Sequence, residues 1–287
     1  MKRHDKPLVS VIITTRNEES VIRRLLESVK KQSYLNIEII VVDNYSNDST
    51  VKIAKKFTKM VFQKGPERSA QRNFGADKSS GDYLLFLDAD MELGNGVVFS
   101  CVETVMKHNF EAIIVPEETV GKNIIAKIRN FERQMYKHDA SIEVARFYKK
   151  SIFNKLVGFD TNLTGAEDYD LHKRASLVGS IGWSKEYLYH HEENQTLGKL
   201  LKKKYYYASK SALYSKKHPD LVATQGTIIF RKAYLRHWEN FITHPLLGVC
   251  FICIRLLETV FAVAGFIKAV GFKIFLYTAL HLFYRKS

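Results

Sequence analysis

Short continuous apolar runs alternate with amphipathic segments over the first 115 or so residues. Leu8–Thr15 is apolar and β-branched, Ile37–Val42 and Asp82–Leu87 are mostly apolar runs and Met60–Gln63 is a shorter one, and each is a predicted strand. Between them, Glu19–Lys31 puts Val21, Leu25, Leu26 and Val29 on one helical face, and Ser49–Phe57 and Ser69–Lys78 are further predicted helices. Strands without alternation are covered on both faces, so this pattern predicts an α/β fold with a doubly wound, mostly parallel sheet. After Ala112 the pattern is mixed. Val144–Tyr148, Ile181–Trp183 and the short run Tyr187–Tyr189 are predicted strands, and Glu167–Val178 a helix.

The pattern changes twice more. Asn194–Pro219 holds seven lysines and no acid, with Tyr205, Tyr206 and Tyr207 in its middle. Pro245–Phe283 is mostly apolar, broken by Arg255, Glu258, Lys268 and Lys273. These charges leave no uncharged window of the ~18 residues a plain transmembrane helix needs. One or two helices lying in or dipping into a membrane surface are expected. A spanning hairpin and a helical pair packed on the globular body are the alternative arrangements.

The formal charge of +14 favours anionic partners: nucleic acid, an anionic membrane or phosphorylated substrates. Three cysteines make no disulfide framework and fit a reducing compartment. Cys250 and Cys253 have no companion pair of zinc spacing and are expected to be apolar filler. The charged start, Met1–Pro7, has no signal-peptide core.

Candidate chemistry gathers at predicted strand ends. Asp88 and Asp90 end the strand running to Leu87, at the carboxyl edge where open α/β sheets bind ligands. Such a pair suits a hard divalent cation bridging to phosphate oxygens. Thr14–Glu18 follows the first strand, and Asp43-Asn44 ends the second. Asp43 or Asn44 can accept a hydrogen bond from a base or ribose, while Asp48 or Ser49 suits the cap of the next helix. Arg68 and Arg72 share a helix face and one of them can meet a diphosphate. Glu167, Asp168 and Asp170 open a helix with more acid than capping needs, and one can serve as a general base. His190, after the Tyr187–Tyr189 run, can complete a metal's ligands. Neither GxGxxG nor GxxxxGK[ST] occurs, which argues against a dinucleotide cofactor and a P-loop ATPase.

In order, TTRNEE, VVDNYSNDST, ERSAQRNFGA, DYLLFLDADME, GFD…GAEDYDL and YHHEE resemble the inverting family-2 glycosyltransferases of the GT-A fold, across roughly residues 8–215. The resemblance implies a GT-A domain over 1–220, with a nucleotide-binding half at 8–115 and an acceptor half at 116–220, followed by a membrane-associated helical tail at 221–287. It implies that Asp88 and Asp90, with His190, hold Mg²⁺ or Mn²⁺ on a sugar-nucleotide diphosphate. Thr14, Glu18, Asp43 and Asn44 correspond to nucleoside contacts, Arg72 or Arg68 lies near the donor, and Asp168, beside Glu167, matches the catalytic base. Many members carry two acids where this chain has Asp43-Asn44, so UDP is the default donor nucleotide rather than a reading of the base.

The expected reaction is inverting transfer of a hexosyl unit to a saccharide or lipid-linked acceptor, such as a polyprenyl phosphate or glycolipid. The expected place is the cytoplasmic face of an anionic cell membrane. A nucleotidyltransferase shares the topology but leaves Asp168 and His190 without roles. A nucleic-acid binder accounts for the charge and the tyrosine–lysine cluster but not for acids at two strand ends; no nucleic-acid partner is expected.

Overall fold

The computed structural model of the protein describes residues 6–218 and 232–272. Elements run β1 (Val9–Thr15), α1 (Ile22–Lys30), β2 (Ile37–Asp43), α2 (Thr50–Ala54), β3 (Val61–Gln63) and α3 (Arg68–Lys78). Next come β4 (Tyr83–Asp88), β5 (Met91–Leu93), α4 (Val97–His108), β6 (Ala112–Ile114), β7 (Glu117–Val120), α5 (Ile124–Tyr136) and β8 (Ala145–Lys149). Then follow α6 (Lys150–Lys155), α7 (Glu167–Ser176), β9 (Ile181–Trp183), β10 (Leu188–His191), α8 (Leu197–Ala208) and α9 (Ala212–Lys217). The last described helices are α10 (Lys232–Arg236), α11 (Glu239–Thr243) and α12 (Pro245–Val270).

The chain divides into two compact units. The first comprises the residues to Gly121 with Lys137–Thr161 and Glu167–Glu192; the second comprises Lys122–Tyr136, Asn162–Ala166 and the described residues from Glu193 onward. Among the described residues, the first unit holds a seven-stranded sheet in the order β3-β2-β1-β4-β8-β6-β9. Strands β1–β4 pair in parallel, and β8 runs antiparallel between β4 and β6. A second sheet, β5-β10-β7, was not foreseen as a sheet: its strands are short and only Tyr187–Tyr189 carried an apolar signal.

The sheet core explains why the strands read as continuous apolar runs. Val9, Val11, Ile13, Val41, Leu85 and Leu87 pack on one face with Leu25, Leu26 and Val29 of α1. Their alternates Ile12, Ile40, Val42, Leu84 and Phe86 pack on the other with Ala76 and Leu171. The expected strands and helices of this unit are found, with ends that differ by up to three residues in either direction. Helix α1 begins at Ile22 rather than Glu19, because the Glu18 carbonyl takes the N–H groups of Val21 and Ile22 in a preceding turn.

In the second unit the lysine-rich segment forms α8 and α9, and most of the apolar stretch forms α12. Positions 273–283 of that stretch lie outside the described residues. Cys250 and Cys253 are not core filler: both sit on α12, the first half-buried and the second exposed.

Candidate active site at the sheet's carboxyl edge

Strand register levels the ends of β1, β2 and β4. Thr15 pairs with Asp43 and Thr14 with Asp88, and Thr14 Oγ1 lies 3.4 Å from Asp88 Oδ1 as a donor. Helix α3 lies close on these strands because residue 75 is glycine; a Cβ there would stand 2.5 Å from Ile12 Cγ2. From the same helix the buried Gln71 amide donates to the carbonyls of Thr15 (3.1 Å) and Val42 (2.7 Å), tying β1 to β2. The first turn of α3 thereby brings Arg68 and Arg72 to the sheet edge.

Arg72 is the centre of the arrangement. Its side chain is 1% exposed. Nη2 meets Asp88 Oδ1 at 3.0 Å, while Nη1 meets Asp168 Oδ1 in a short contact and Glu167 Oε1 at 3.4 Å. The guanidinium also lies over the Phe159 ring, 5.1 Å from its centroid. Arg68 stands further off, 3.6 Å from Asp88 and 3.9 Å from Glu167. Burial by itself would raise the Asp88 pKa. Arg72, Arg68 and Arg146, with His190, overcome it and hold the carboxyl well below the usual carboxylate range. Burial, then the neighbouring Asp168, pushes the Glu167 carboxyl up. The third acid of the α7 turn is structural: buried Asp170 pairs with Arg174 at 2.6 Å, and Arg174 also donates to the carbonyls of Leu156 and Gly158.

The second sheet supplies the other edge. Strand β10 pairs antiparallel with β5, and His190 Nε2 stands 3.0 Å from Asp90 Oδ2. His190 Nδ1 lies 3.5 Å from Glu117 Oε2 on β7. Arg146, on β8, donates from Nε (2.8 Å) and Nη2 (2.6 Å) to Glu117 Oε1 and stands 3.9 Å from Asp88 Oδ2. Asp88, Arg146, Glu117, His190 and Asp90 thus form a continuous series of polar neighbours around the Asp-x-Asp turn. Glu117 and Arg146 were missed from the sequence. The signal that could have found Arg146 is a lone cation inside the apolar run Val144–Tyr148.

Side-chain hydrogen bonds hold the loops after β1 and β2. Buried Asp43 accepts from the Ser46 N–H at 2.8 Å and from its hydroxyl. Asn44 donates from Nδ2 to the Pro66 carbonyl (2.6 Å), and its backbone N–H to Thr15. The Glu18 N–H donates to Thr50 Oγ1 at 2.8 Å. Asp48, not Ser49, supplies the cap contact of α2, accepting from the Thr50 N–H at 2.9 Å.

The structure therefore brings Thr14, Arg68, Arg72, Asp88, Glu167 and Asp168 into one contact network and pairs Asp90 with His190. Asp43, Asn44 and Glu18 belong to the adjoining loops. Among the described residues no three His, Cys, Asp or Glu side chains form a ready metal cage. The Asp90–His190 pair and the nearby Asp88 are nonetheless chemically suited to Mg²⁺ or Mn²⁺. Mg²⁺ in particular takes one or two protein carboxylates and completes its shell with substrate phosphates and water.

Residues 10–157, just over half of the chain, match the sequence profile of Glycosyl transferase family 2. The glycosyltransferase GlyA of Streptococcus pneumoniae is 27% identical over 197 residues, 59% of this chain and 28% of that protein. The chain thus spans little more than a quarter of that relative's length. A Campylobacter jejuni GalNAc(5)-diNAcBac-PP-undecaprenol beta-1,3-glucosyltransferase is 27% identical over 165 residues, 51% of this chain and 53% of that enzyme. Among solved structures, the mannosyltransferase PcManGT of Pyrobaculum calidifontis, in complex with GDP-Man and Mn²⁺, superposes with a TM-score of 0.61 at 15% identity, covering 93% of this chain and 88% of that one. S. aureus TarS in complex with UDP-GlcNAc superposes with a TM-score of 0.53 at 20% identity, covering 71% and 66%. The fold is GT-A, and the chain belongs to glycosyl transferase family 2.

Proposed function

We propose that the protein is an inverting, metal-assisted hexosyltransferase that uses a nucleotide diphosphate sugar and a lipid-linked acceptor. One observation carries the mechanism: Arg72 joins Asp88, at the end of β4, to Asp168 and Glu167, at the start of α7. The donor-holding carboxylate and the candidate base therefore flank one fixed cation. Arg72, which is buried, and Arg68, which is one-third exposed, offer positive charge to a diphosphate leaving group. Asp168, the less buried of the α7 pair, takes the acceptor's proton as its oxygen attacks the anomeric carbon. Burial, then the neighbouring Asp168, pushes Glu167 toward its neutral form, which suits it less to the base role. A base on one side and cations on the other suit a single in-line displacement, which inverts the anomeric centre. When bound at Asp88, Asp90 and His190, Mg²⁺ or Mn²⁺ supplies Lewis-acid neutralisation of the diphosphate. Thr14, Glu18, Asp43 and Asn44 form the nucleoside side, with UDP as the default and GDP the alternative that the PcManGT complex supports.

The undecaprenol-linked substrate named for the Campylobacter relative supports a lipid-linked acceptor. So do the exposed lysines of α8 and α9, each contributing about 1 kcal/mol beside an anionic leaflet. On our reading the working enzyme sits at the cytoplasmic membrane face, with residues 1–220 as catalytic domain and 221–287 as membrane-associated tail.

The test is a panel of UDP-, GDP- and dTDP-sugars with Mn²⁺, read as nucleotide release. Nucleoside diphosphate is expected; release of pyrophosphate would mean nucleotidyl transfer and overturn the mechanism. Asp168→Asn should keep donor affinity within a few fold and lower turnover by roughly 10²-fold or more. A greater loss from Glu167→Gln would move the base to Glu167.

A further inference from the structure

Helix α12 is amphipathic in the inverted sense. One flank carries Gly248, Phe251, Ile254, Arg255, Glu258 and Gly265, all buried within the second unit. The opposite flank carries Leu246, Val249, Leu256, Val260 and Val263, all exposed, with Leu246 at 83% and Val260 at 63%. Separated by three, seven, four and three positions, these five fall on one side of the helix and define an apolar stripe. The helix thus hides Arg255 and Glu258 and shows its hydrocarbon, the reverse of what water favours, with Lys268 exposed near its end.

The buried charges are held by the unit's other helices. Arg255 binds Glu132 of α5 and meets Glu258 at 2.6 Å. Glu258 also faces Arg129 of α5 at 3.9 Å and Lys204 of α8 at 4.0 Å, and Tyr234 of α10 donates to Glu132 at 2.7 Å. Phe241 of α11 packs beside Gly248 and Phe251, and the backbone of α8 approaches Gly265. The same flank is therefore occupied by polar helices from residue 248 to residue 265. Those helices expose Lys127 on α5 and Lys199, Lys202 and Lys203 on α8.

Length does not decide how such a helix meets a bilayer: 26 residues at 1.5 Å each, ~39 Å, exceed the ~30 Å hydrocarbon core. Its neighbours decide it. Crossing would carry the helices packed on residues 248–265, with their exposed lysines, into hydrocarbon. Lying along the surface leaves them at the headgroups and gives the apolar stripe to the acyl chains. The exposed lysines complement anionic headgroups, which selects a bilayer over a second copy of this basic chain as the occupant.

We propose that α12 lies lengthwise in one leaflet of an anionic bilayer, with its 246/249/256/260/263 stripe in the acyl boundary and its Arg255–Glu258 flank on the protein, and does not cross the membrane. The proposal refines the membrane placement given above and does not depend on which sugar or acceptor is used.

The experiment uses full-length protein carrying Cys250→Ser and Cys253→Ser, with one of Val249→Cys, Leu256→Cys or Val260→Cys labelled by an environment-sensitive fluorophore. Vesicles of phosphatidylcholine and phosphatidylglycerol carry quenchers at shallow or deep acyl positions. All three labels should shift to the blue and report the same shallow depth. A profile deepest at residue 256 would show a crossing helix and overturn the proposal. An absent blue shift, or one that follows protein concentration without vesicles, would make the stripe a protein contact and overturn it equally. Leu256→Glu with Val260→Glu should weaken vesicle binding at least tenfold while nucleotide-sugar hydrolysis stays unchanged. Hydrolysis lost in the unsubstituted protein would instead count against the transferase mechanism and leave the depth profile standing.

Discussion

Arg72→Met replaces the guanidinium between Asp88, Asp168 and Glu167 with an uncharged chain of similar reach. Three carboxyl groups then face one another, with only Arg68 and Arg146 at 3.6–3.9 Å from Asp88 to compensate. Removing one partner of a buried ion pair costs about 3–5 kcal/mol, because the other charge is left without its counter-ion. For a domain of this size each kcal/mol moves the melting temperature by about 2–4 °C, so the expected fall is roughly 6–20 °C at pH 7. Arg68→Met is the internal control. It removes a side chain that is one-third exposed and stands 3.6 Å from Asp88 and 3.9 Å from Glu167, so about 1 kcal/mol or less is expected.

The pH dependence has a definite sign. In the wild type the arginines depress the native Asp88 pKa, so its stabilisation is present above the unfolded carboxylate value, near 4, and is lost only as the pH falls toward the native one. In the variant, burial prevails and Asp88 protonates at higher pH. The difference in melting temperature is therefore widest near pH 7 and narrows toward pH 4. Thermal melts of both proteins at half-unit pH steps measure it. A variant within about 2 °C of wild type at pH 7, or a gap that widens on acidification, would refute the assignment of Arg72 as the buried counter-ion.

Two further expectations test neighbouring features. Glu117→Gln preserves the shape beside His190 Nδ1 but removes the charge; half-saturating Mn²⁺ should rise by about 10-fold or more with turnover at saturating metal close to wild type, and an unchanged metal titration would show that Glu117 serves only the fold. Burial lowers the Lys204 pKa to about 8, and without that charge Glu132 and Glu258 already balance Arg129 and Arg255. With a native value below the unfolded one, near 10.4, the full penalty applies below pH 8 and fades as the pH rises, so Lys204→Met should raise the melting temperature at pH 7 and lose that advantage by about pH 10; a gain that grows with pH would contradict it.

The parallel half of the sheet was legible because burial on both faces leaves a strong local signature. Every position of β1 is buried, and such a run has few alternatives. The second sheet was not legible because its strands are three or four residues long and half polar. Glu117 on β7 has an ordinary loop-like neighbourhood in the sequence; its partnership with His190 exists only after β10 pairs with β7. The tail was legible in composition but not in orientation. Arg255 and Glu258 read as interruptions of an apolar stretch, whereas in the fold they are the inward flank of α12, and that depends on residues as distant as Glu132.

The site shows the same division between residue type and partner. Asp88, Arg72 and Asp168 each stood out by position, but nothing local says that a guanidinium at 72 will hold a carboxylate 96 positions away. That link changes how donor binding is understood. The arginines at the sheet edge pair with Asp88, Asp168, Glu167 and Glu117, so under the mechanism we propose a diphosphate does not enter a vacant cationic pocket. It exchanges with protein carboxylates for the same donors. Binding is then an ion-pair exchange whose net energy is smaller than the phosphate–arginine attraction alone. Under the mechanism we propose, phosphate oxygens that draw Arg72 toward the donor would release Asp168 for the acceptor, and the proposed base would become available only with the leaving group in place.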